Sequence, residues 1–134
     1  MQVQMFGDDE MKYVYNKLVR DKIPQEINKT EGRNANYKIL NENEYLQELD
    51  KKLLEEAHEF IEDHSIDELG DLMEVIFAIM KSQNISIEKV ERARESKKNK
   101  KGAFNNKIYL IDVEQDIRDK KEENELNKEW RKNN

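Results

Sequence analysis

Residues that interrupt helices are scarce in this chain, which has one proline and four glycines in 134 residues. Turn-rich sandwiches and barrels need more of both, because tight connections between strands call for turn residues. A chain with so few interruptions can form long helices. Its length of 134 residues allows one domain. We therefore expect a mainly all-α fold, an antiparallel helix bundle that can carry a short β-strand pair.

Apolar residues are also scarce, since hydrophobic residues make up 36% of the chain and charged residues 40%. This composition lies near the polar limit for a folded protein, so one copy has little apolar surface to bury. Helix bundles can complete such a core by sharing it between copies. We expect a homo-oligomer, either a homodimer or a homotetramer.

The charge balance and the missing residue types exclude several functions. With 30 acidic and 24 basic residues the net charge is −6, which argues against a nucleic-acid partner, because duplex-binding domains carry an excess of basic residues. No cysteine is present, and two histidines cannot form an all-histidine zinc site. Any bound metal must therefore be held mostly by carboxylates, which selects a hard ion such as Mg²⁺ or Mn²⁺.

Membrane and export signals are missing from the sequence. No run approaches the roughly 18 apolar residues that a helix needs to cross a bilayer. The first ten residues are polar and acidic, unlike a signal peptide. These features predict a cytoplasmic protein with no membrane partner.

The apolar spacing in the middle of the chain predicts two long helices. Apolar residues recur every three or four positions up to about Asp63, and again from Ile66 to about Ser82. Asn41 or Asn43 can cap the first helix, and Ser65 can cap the second. Because the connection between them is short, we expect the two helices to be antiparallel neighbours.

Shorter elements are predicted on either side of this pair. Pro24 fits the first turn of a short helix that ends near Asn28, and a third helix is expected from Ile87 to about Lys98. β-Branched and aromatic residues predict a strand over 108–113 that pairs with 37–40. The chain then divides into a leader without periodic pattern over 1–12, a domain over 13–113 and a charged tail, helical or disordered, over 114–134.

Carboxylates lie at the apolar faces of the two long helices, where they are costly unless a cation compensates them. At about 100° per residue, Glu56 lies at the margin of the first apolar arc, with Glu59 further out on the same side. Glu68 lies inside the second arc, with Asp71 just outside it. Antiparallel packing of these i, i+3 pairs brings four carboxylates to one end of the hairpin. Lys52, paired with Glu56 at i, i+4, is the only nearby cation on these faces, so a hard divalent cation is the remaining counter-charge.

Two plainer interpretations of these acids stay open. In a chain with 40% charged residues, most helical acids form a solvated face. Ser65 and Glu68 also fit a capping box, in which the Glu68 side chain returns to the Ser65 backbone N–H.

The acidic pattern resembles the signature of a known superfamily. Residues 54–60, LEEAHEF, followed by 68–72, ELGDL, resemble the Glu-Glu-x-x-Glu … Glu-x-x-Asp signature of the all-α nucleoside triphosphate pyrophosphohydrolases, which include MazG and phosphoribosyl-ATP pyrophosphohydrolase. Two further segments are similar to a small MazG-like branch, often labelled phosphoribosyl-ATP pyrophosphohydrolase-like: 15–24, YNKLVRDKIP, and 97–110, with its Lys-Gly-Ala-Phe element. The resemblance covers about 15–113.

Two features depart from the family pattern. This chain has Lys-Gly-Ala-Phe where the branch has Arg-Gly-Gly-Phe, and its connection between Glu59 and Glu68 is short, with little room for an elaborated loop. Lys101 keeps the positive charge but loses the bidentate fork of an arginine, so its phosphate contact is looser. Ala103 lacks the conformational freedom of a second glycine. Neither change removes a residue of the acidic signature.

The resemblance implies a Mg²⁺-dependent nucleotide pyrophosphohydrolase, with Mn²⁺ as the alternative ion. Such enzymes cleave a nucleoside triphosphate between the α and β phosphates, giving the monophosphate and pyrophosphate. The expected role of this protein is the removal of non-canonical nucleotides. By position in the family, Glu55 and Glu56 act in catalysis. Glu55, the first Glu of the motif, is expected to orient a water or to hold a second metal. A helical wheel points it away from the metal face, where a partner subunit would receive it. The implied metal ligands are Glu56, Glu59, Glu68 and Asp71, and the implied substrate contacts are Lys17, Arg20, Lys97, Lys101 and Phe104.

Two alternative functions stay open. One is the phosphoribosyl-ATP pyrophosphohydrolase of histidine biosynthesis, and the other is a non-catalytic helical dimer that binds a nucleotide or a protein. Pyrophosphate release from a panel of substrates separates the three.

Overall fold

The computed structural model describes residues 1–7, 10–117 and 120–133. The fold is mainly helical, as predicted, with helices over 55% of the chain and one small antiparallel sheet. Residues 8, 9, 118, 119 and 134, from the predicted leader and tail, lie outside the described residues. The elements are β1 Gln2–Met5, β2 Met11–Val14, α1 Ile23–Asn28, α2 Glu42–Asp63, α3 Ile66–Ser82, α4 Ile87–Lys101 and α5 Lys120–Asn133.

The two long helices α2 and α3 begin at caps that the sequence predicts. The Asn41 side chain accepts a hydrogen bond from the Glu44 backbone N–H at 2.8 Å, and the Glu44 carboxylate accepts one from the Asn41 N–H at 3.4 Å. This reciprocal pair is a capping box at the start of α2. Ser65 Oγ accepts from the Glu68 backbone N–H at 3.1 Å and starts α3. His64, in the left-handed conformation with φ 52°, ends α2.

The core of residues 1–96 lies between α2 and α3, which pack against each other. Because two residues connect them, the helices run antiparallel. Among the described residues, the buried apolar side chains are Leu49 of α2 with Val75 and Met80 of α3. Large apolar side chains of the same helices stay exposed, among them Leu54, Ile61, Leu69, Met73, Ile76 and Phe77.

The β-strand pair forms at a different place from the one predicted. β1 and β2 pair antiparallel, with Gln2 opposite Val14 and Met5 opposite Met11, so the predicted leader contains a strand. Gly7, at φ 77°, lies in the connection between them. The predicted pairing of 37–40 with 108–113 is wrong, since neither segment is a strand. Strand propensity alone does not form a sheet without a partner, and the apolar side chains of 108–113 are exposed.

Residues 97–134 form a second compact unit, separate from 1–96. α4 crosses the boundary and ends at Lys101, three residues beyond the predicted end. In the predicted tail, the described residues contain the helix α5. Within the described part of the chain, no helix has the length and apolar character needed to cross a membrane.

Candidate metal centre

Three of the four predicted metal ligands converge where α2 meets α3. Glu56 of α2, with Glu68 and Asp71 of α3, each offer one carboxylate oxygen, and these oxygens all lie within 4.8 Å of one another. The i, i+3 spacing on α3 places Glu68 and Asp71 on one helical face. The turn at His64 brings that face to Glu56. We call Glu56, Glu68 and Asp71 the acidic cluster.

Glu59, the fourth predicted ligand, borders the acidic cluster without belonging to it. It lies close enough to Glu56 for its negative charge to raise the pKa of that carboxyl group.

Two buried oxygens of the acidic cluster have no hydrogen-bond partner among the residues that the structure describes. Glu56 is 6% exposed and is the buried charged residue among those described. Its Oε2 and the Oε2 of Glu68 accept no hydrogen bond in the described part of the chain. A buried carboxylate oxygen without a donor is costly, and a cation removes that cost. These two oxygens therefore point to a positively charged ligand.

The surroundings of the acidic cluster favour protonated carboxyl groups when no cation is present. Desolvation raises the pKa of Glu56, the charge of Glu59 raises it further, and Lys52 opposes both effects. Desolvation likewise raises the pKa of Glu68, followed by the charges of Asp71 and Glu56. Both groups hold their protons to a higher pH than an ordinary glutamate.

The capping-box interpretation of Glu68 is half correct. Its backbone N–H donates to Ser65 Oγ. Its carboxylate belongs to the acidic cluster with Glu56 and Asp71 and does not return to the start of α3. This carboxylate is therefore available to a metal ion.

Lys52 lies on the cluster side of α2, as predicted. Its Nζ is 3.3 Å from Oε1 of Glu56 and 3.5 Å from Oε2 of Glu55. The side chain of Lys52 is only 16% exposed, so water screens these pairs less than surface pairs.

Two further cations reach these carboxylates from the segment that precedes α1. Lys17 Nζ donates to Glu55 Oε1 at 3.0 Å, and Arg20 Nη2 donates to Asp71 Oδ1 at 2.7 Å. The prediction that Lys52 is the only nearby cation is therefore wrong. Helical periodicity could not find these pairs, because their partners are 38 and 51 residues apart in the chain. The signal that did single out Lys17 and Arg20 was the resemblance of 15–24.

Glu55 meets this same segment of its own chain. Burial opposes its ionisation, but the hydrogen bond from Lys17 and the charge of Lys52 outweigh burial and lower the pKa of Glu55. In return, the hydrogen bond to Glu55 raises the pKa of Lys17. Glu55 is thus held ionised beside the more easily protonated Glu56.

The remaining predicted substrate contacts belong to the second compact unit. Lys97 and Lys101 lie on the last turns of α4, and Phe104 follows with 96% of its surface exposed. Gly102, at φ 86°, ends the helix by donating its N–H to the Lys98 carbonyl at 2.8 Å. The acidic cluster, Lys17 and Arg20 all belong to 1–96.

Comparisons of this chain with protein-family models, with curated proteins and with solved structures find no match.

Proposed function

We propose that this protein is a Mg²⁺-dependent nucleotide pyrophosphohydrolase, which cleaves a nucleoside triphosphate between the α and β phosphates. The observation that carries the proposal is the acidic cluster, with its three oxygens within 4.8 Å and the buried, unpartnered Oε2 atoms of Glu56 and Glu68. The resemblance of the acidic signature to the all-α pyrophosphohydrolases supplies the reaction.

The donor set fits a hard divalent cation. All three donors are carboxylate oxygens, which Mg²⁺ and Mn²⁺ prefer. Of the two imidazoles, His58 is exposed and pairs with Glu62 at 3.2 Å, and His64 packs against the Phe60 ring. Mg²⁺, when bound, would bring the positive charge that a triphosphate needs to approach carboxylates.

Each carboxylate then has a proposed task. Glu56, Glu68 and Asp71 hold the ion, and Glu59 lies beside them as a further ligand. Glu55 is kept ionised by Lys17 and Lys52, and we assign it the orientation of the attacking water. Glu56 serves the reaction through the ion that it holds.

Basic residues are proposed to receive the phosphates. Lys17 and Arg20 already lie at the edge of the acidic cluster. Arg20 has the planar fork that suits phosphate oxygens. Lys97, Lys101 and Phe104 are proposed contacts on the resemblance alone, with Phe104 stacking on a base. Removal of non-canonical nucleotides in the cytoplasm is the proposed role.

A second copy of the chain is the proposed cover for the exposed apolar face. On α2, Leu54 and Ile61 lie two turns apart on one side and are 73% and 65% exposed. Met73 and Phe77 of α3 add exposed apolar surface to the same helix pair. The small number of buried apolar residues is not enough to stabilise a single copy. We therefore propose a homodimer, with a homotetramer as its extension.

Pyrophosphate release tests the proposed function. The substrates are canonical triphosphates, modified triphosphates and phosphoribosyl-ATP, each with and without Mg²⁺. We expect Mg²⁺-dependent release from triphosphates, reduced about 100-fold or more by Glu56→Gln or Asp71→Asn. Glu74→Gln, an exposed change on α3, is the control and should keep full activity.

The other outcomes identify the alternatives. Release from phosphoribosyl-ATP alone would assign the chain to histidine biosynthesis. No release from any substrate at saturating Mg²⁺ would favour the non-catalytic binding protein.

A further inference from the structure

The ion pair between Arg20 and Asp71 occupies one carboxylate oxygen of a residue that a metal ion would use. Arg20 Nη2 lies 2.7 Å from Oδ1 of Asp71, and Asp71 is one of the three residues of the acidic cluster. A guanidinium in contact with a ligand carboxylate repels a divalent cation on that same group. Full metal coordination by Asp71 and the observed position of Arg20 therefore oppose each other.

Lys17 holds the same segment by a contact that a metal ion would not disturb. It pairs at 3.0 Å with Glu55, which is outside the acidic cluster. Lys17 and Arg20 are three residues apart, so the first contact keeps the second residue near the cluster. The Arg20 side chain is 57% exposed and has room to turn toward solvent.

The formal charges show why these cations are needed when no metal is bound. Glu55, Glu59 and the acidic cluster supply five carboxylates, against the three cations Lys17, Arg20 and Lys52. Without Arg20 the net formal charge of this group would be −3, and one divalent cation would reduce it to −1. With that ion bound, Asp71 depends less on Arg20 for compensation of its charge.

We propose that Arg20 is an exchangeable internal counter-ion of the metal centre. It occupies Asp71 in the metal-free protein, gives way when the ion binds, and then takes an oxygen of the substrate's phosphates. Lys17 is the tether that keeps the segment in place during the exchange. This inference rests on the proposed function, because it needs a metal ion at the acidic cluster.

The exchange predicts effects of opposite sign on metal and on nucleotide. Isothermal titration of the metal-free protein with Mn²⁺, without nucleotide, should show tighter binding for Arg20→Gln, by about tenfold. A non-hydrolysable triphosphate analogue, titrated at saturating Mn²⁺, should bind Arg20→Gln about tenfold more weakly than the wild type. A general loss of positive charge would not by itself change the Mn²⁺ affinity or the analogue affinity tenfold.

Lys22→Gln is the matched control, because it removes one exposed positive charge from the same segment. It should change either affinity less than about twofold, as expected for screened surface charge. Asp71→Asn should abolish the Mn²⁺ binding.

Two results would overturn the inference, and they can be told apart. If Arg20→Gln binds Mn²⁺ no better than Lys22→Gln while Asp71→Asn abolishes binding, the exchange is wrong and the metal centre stands. If the wild type and Arg20→Gln both fail to bind Mn²⁺, the metal centre of the proposed function is wrong, and the exchange is wrong with it.

Discussion

The ammonium of Lys52 lies 3.3 Å from Oε1 of Glu56, while Oε2 of the same carboxylate is buried with no hydrogen-bond partner among the described residues. One cation thus satisfies half of a buried carboxylate on the face that α2 turns toward α3. One oxygen of this carboxylate lies within 4.8 Å of an oxygen of Glu68 and one of Asp71. This relationship makes Glu56 the residue on which the stability and the proposed chemistry of the site both depend.

Removal of that cation should destabilise the metal-free protein. Lys52→Met leaves Glu56 buried and uncompensated, and we expect a loss of about 1–3 kcal/mol in the free energy of unfolding. Lys51→Met is the matched control, since Lys51 is an exposed neighbour paired with Glu48, and it should change stability by less than about 0.5 kcal/mol. Urea denaturation at neutral pH measures both. Equal stability of the two variants would contradict the role given to Lys52.

The raised pKa values of Glu56 and Glu68 predict how stability depends on pH. A carboxyl group whose pKa is higher in the folded state binds more protons folded than unfolded. Its contribution to stability is complete below the ordinary glutamate pKa and is lost as pH rises through the raised value. The metal-free protein should therefore lose stability over this pH interval, which urea denaturation at a series of pH values measures.

Glu68→Gln should flatten that loss and stabilise the metal-free protein at neutral pH, because a neutral amide removes the repulsion by Asp71 and Glu56. Glu74→Gln, exposed on α3, should leave the pH dependence unchanged. A stability profile for Glu68→Gln that matches the wild type would show that the acidic cluster is an ordinary solvated face.

Ionisation of Glu55 should control the low-pH limb of the profile of kcat against pH. Glu55→Gln is expected to lower kcat by about 10²- to 10⁴-fold, as for loss of a proton-accepting group. Lys17→Met removes the hydrogen bond that lowers the pKa of Glu55, so the acid limb of kcat should move to higher pH. Lys22→Met is the control and should leave the limb in place. An unshifted limb in Lys17→Met would contradict the task assigned to Glu55.

The exposed apolar face of α2 predicts the oligomeric state. Light scattering of the wild type should give two or four times the 16.1 kDa of one chain. Leu54→Glu together with Ile61→Glu places two charges on the face and should reduce the mass toward that of one chain. Lys51→Glu, at an exposed polar position of the same helix, is the control. A wild type with the mass of one chain would contradict the shared core.

The helices were predictable because their signals are local. Asn41 and Ser65 cap α2 and α3 through hydrogen bonds that span three residues. The convergence of Glu56 with Glu68 and Asp71 follows from helical spacing and a short connection, both of which can be read from the sequence. The part of the site built on helical periodicity was therefore predictable.

The rest depends on contacts between distant parts of the chain. Lys17 and Arg20 meet their partners across 38 and 51 residues, with no periodic pattern to reveal the pairing. A helical wheel places Glu55 away from the metal face. It cannot show that a non-helical segment returns to the helix and contacts Glu55 there. The strand over 108–113 was expected from composition, whereas a strand needs a paired neighbour to form.

The products of hydrolysis test the central claim most directly. Phosphorus NMR of a triphosphate incubated with the protein and Mg²⁺ distinguishes the anhydride bonds by their products. The account predicts nucleoside monophosphate and pyrophosphate in equal amounts from the wild type, and about 100-fold slower formation of both by Glu56→Gln. Release of orthophosphate with nucleoside diphosphate, or equal rates for the wild type and Glu56→Gln, would contradict it.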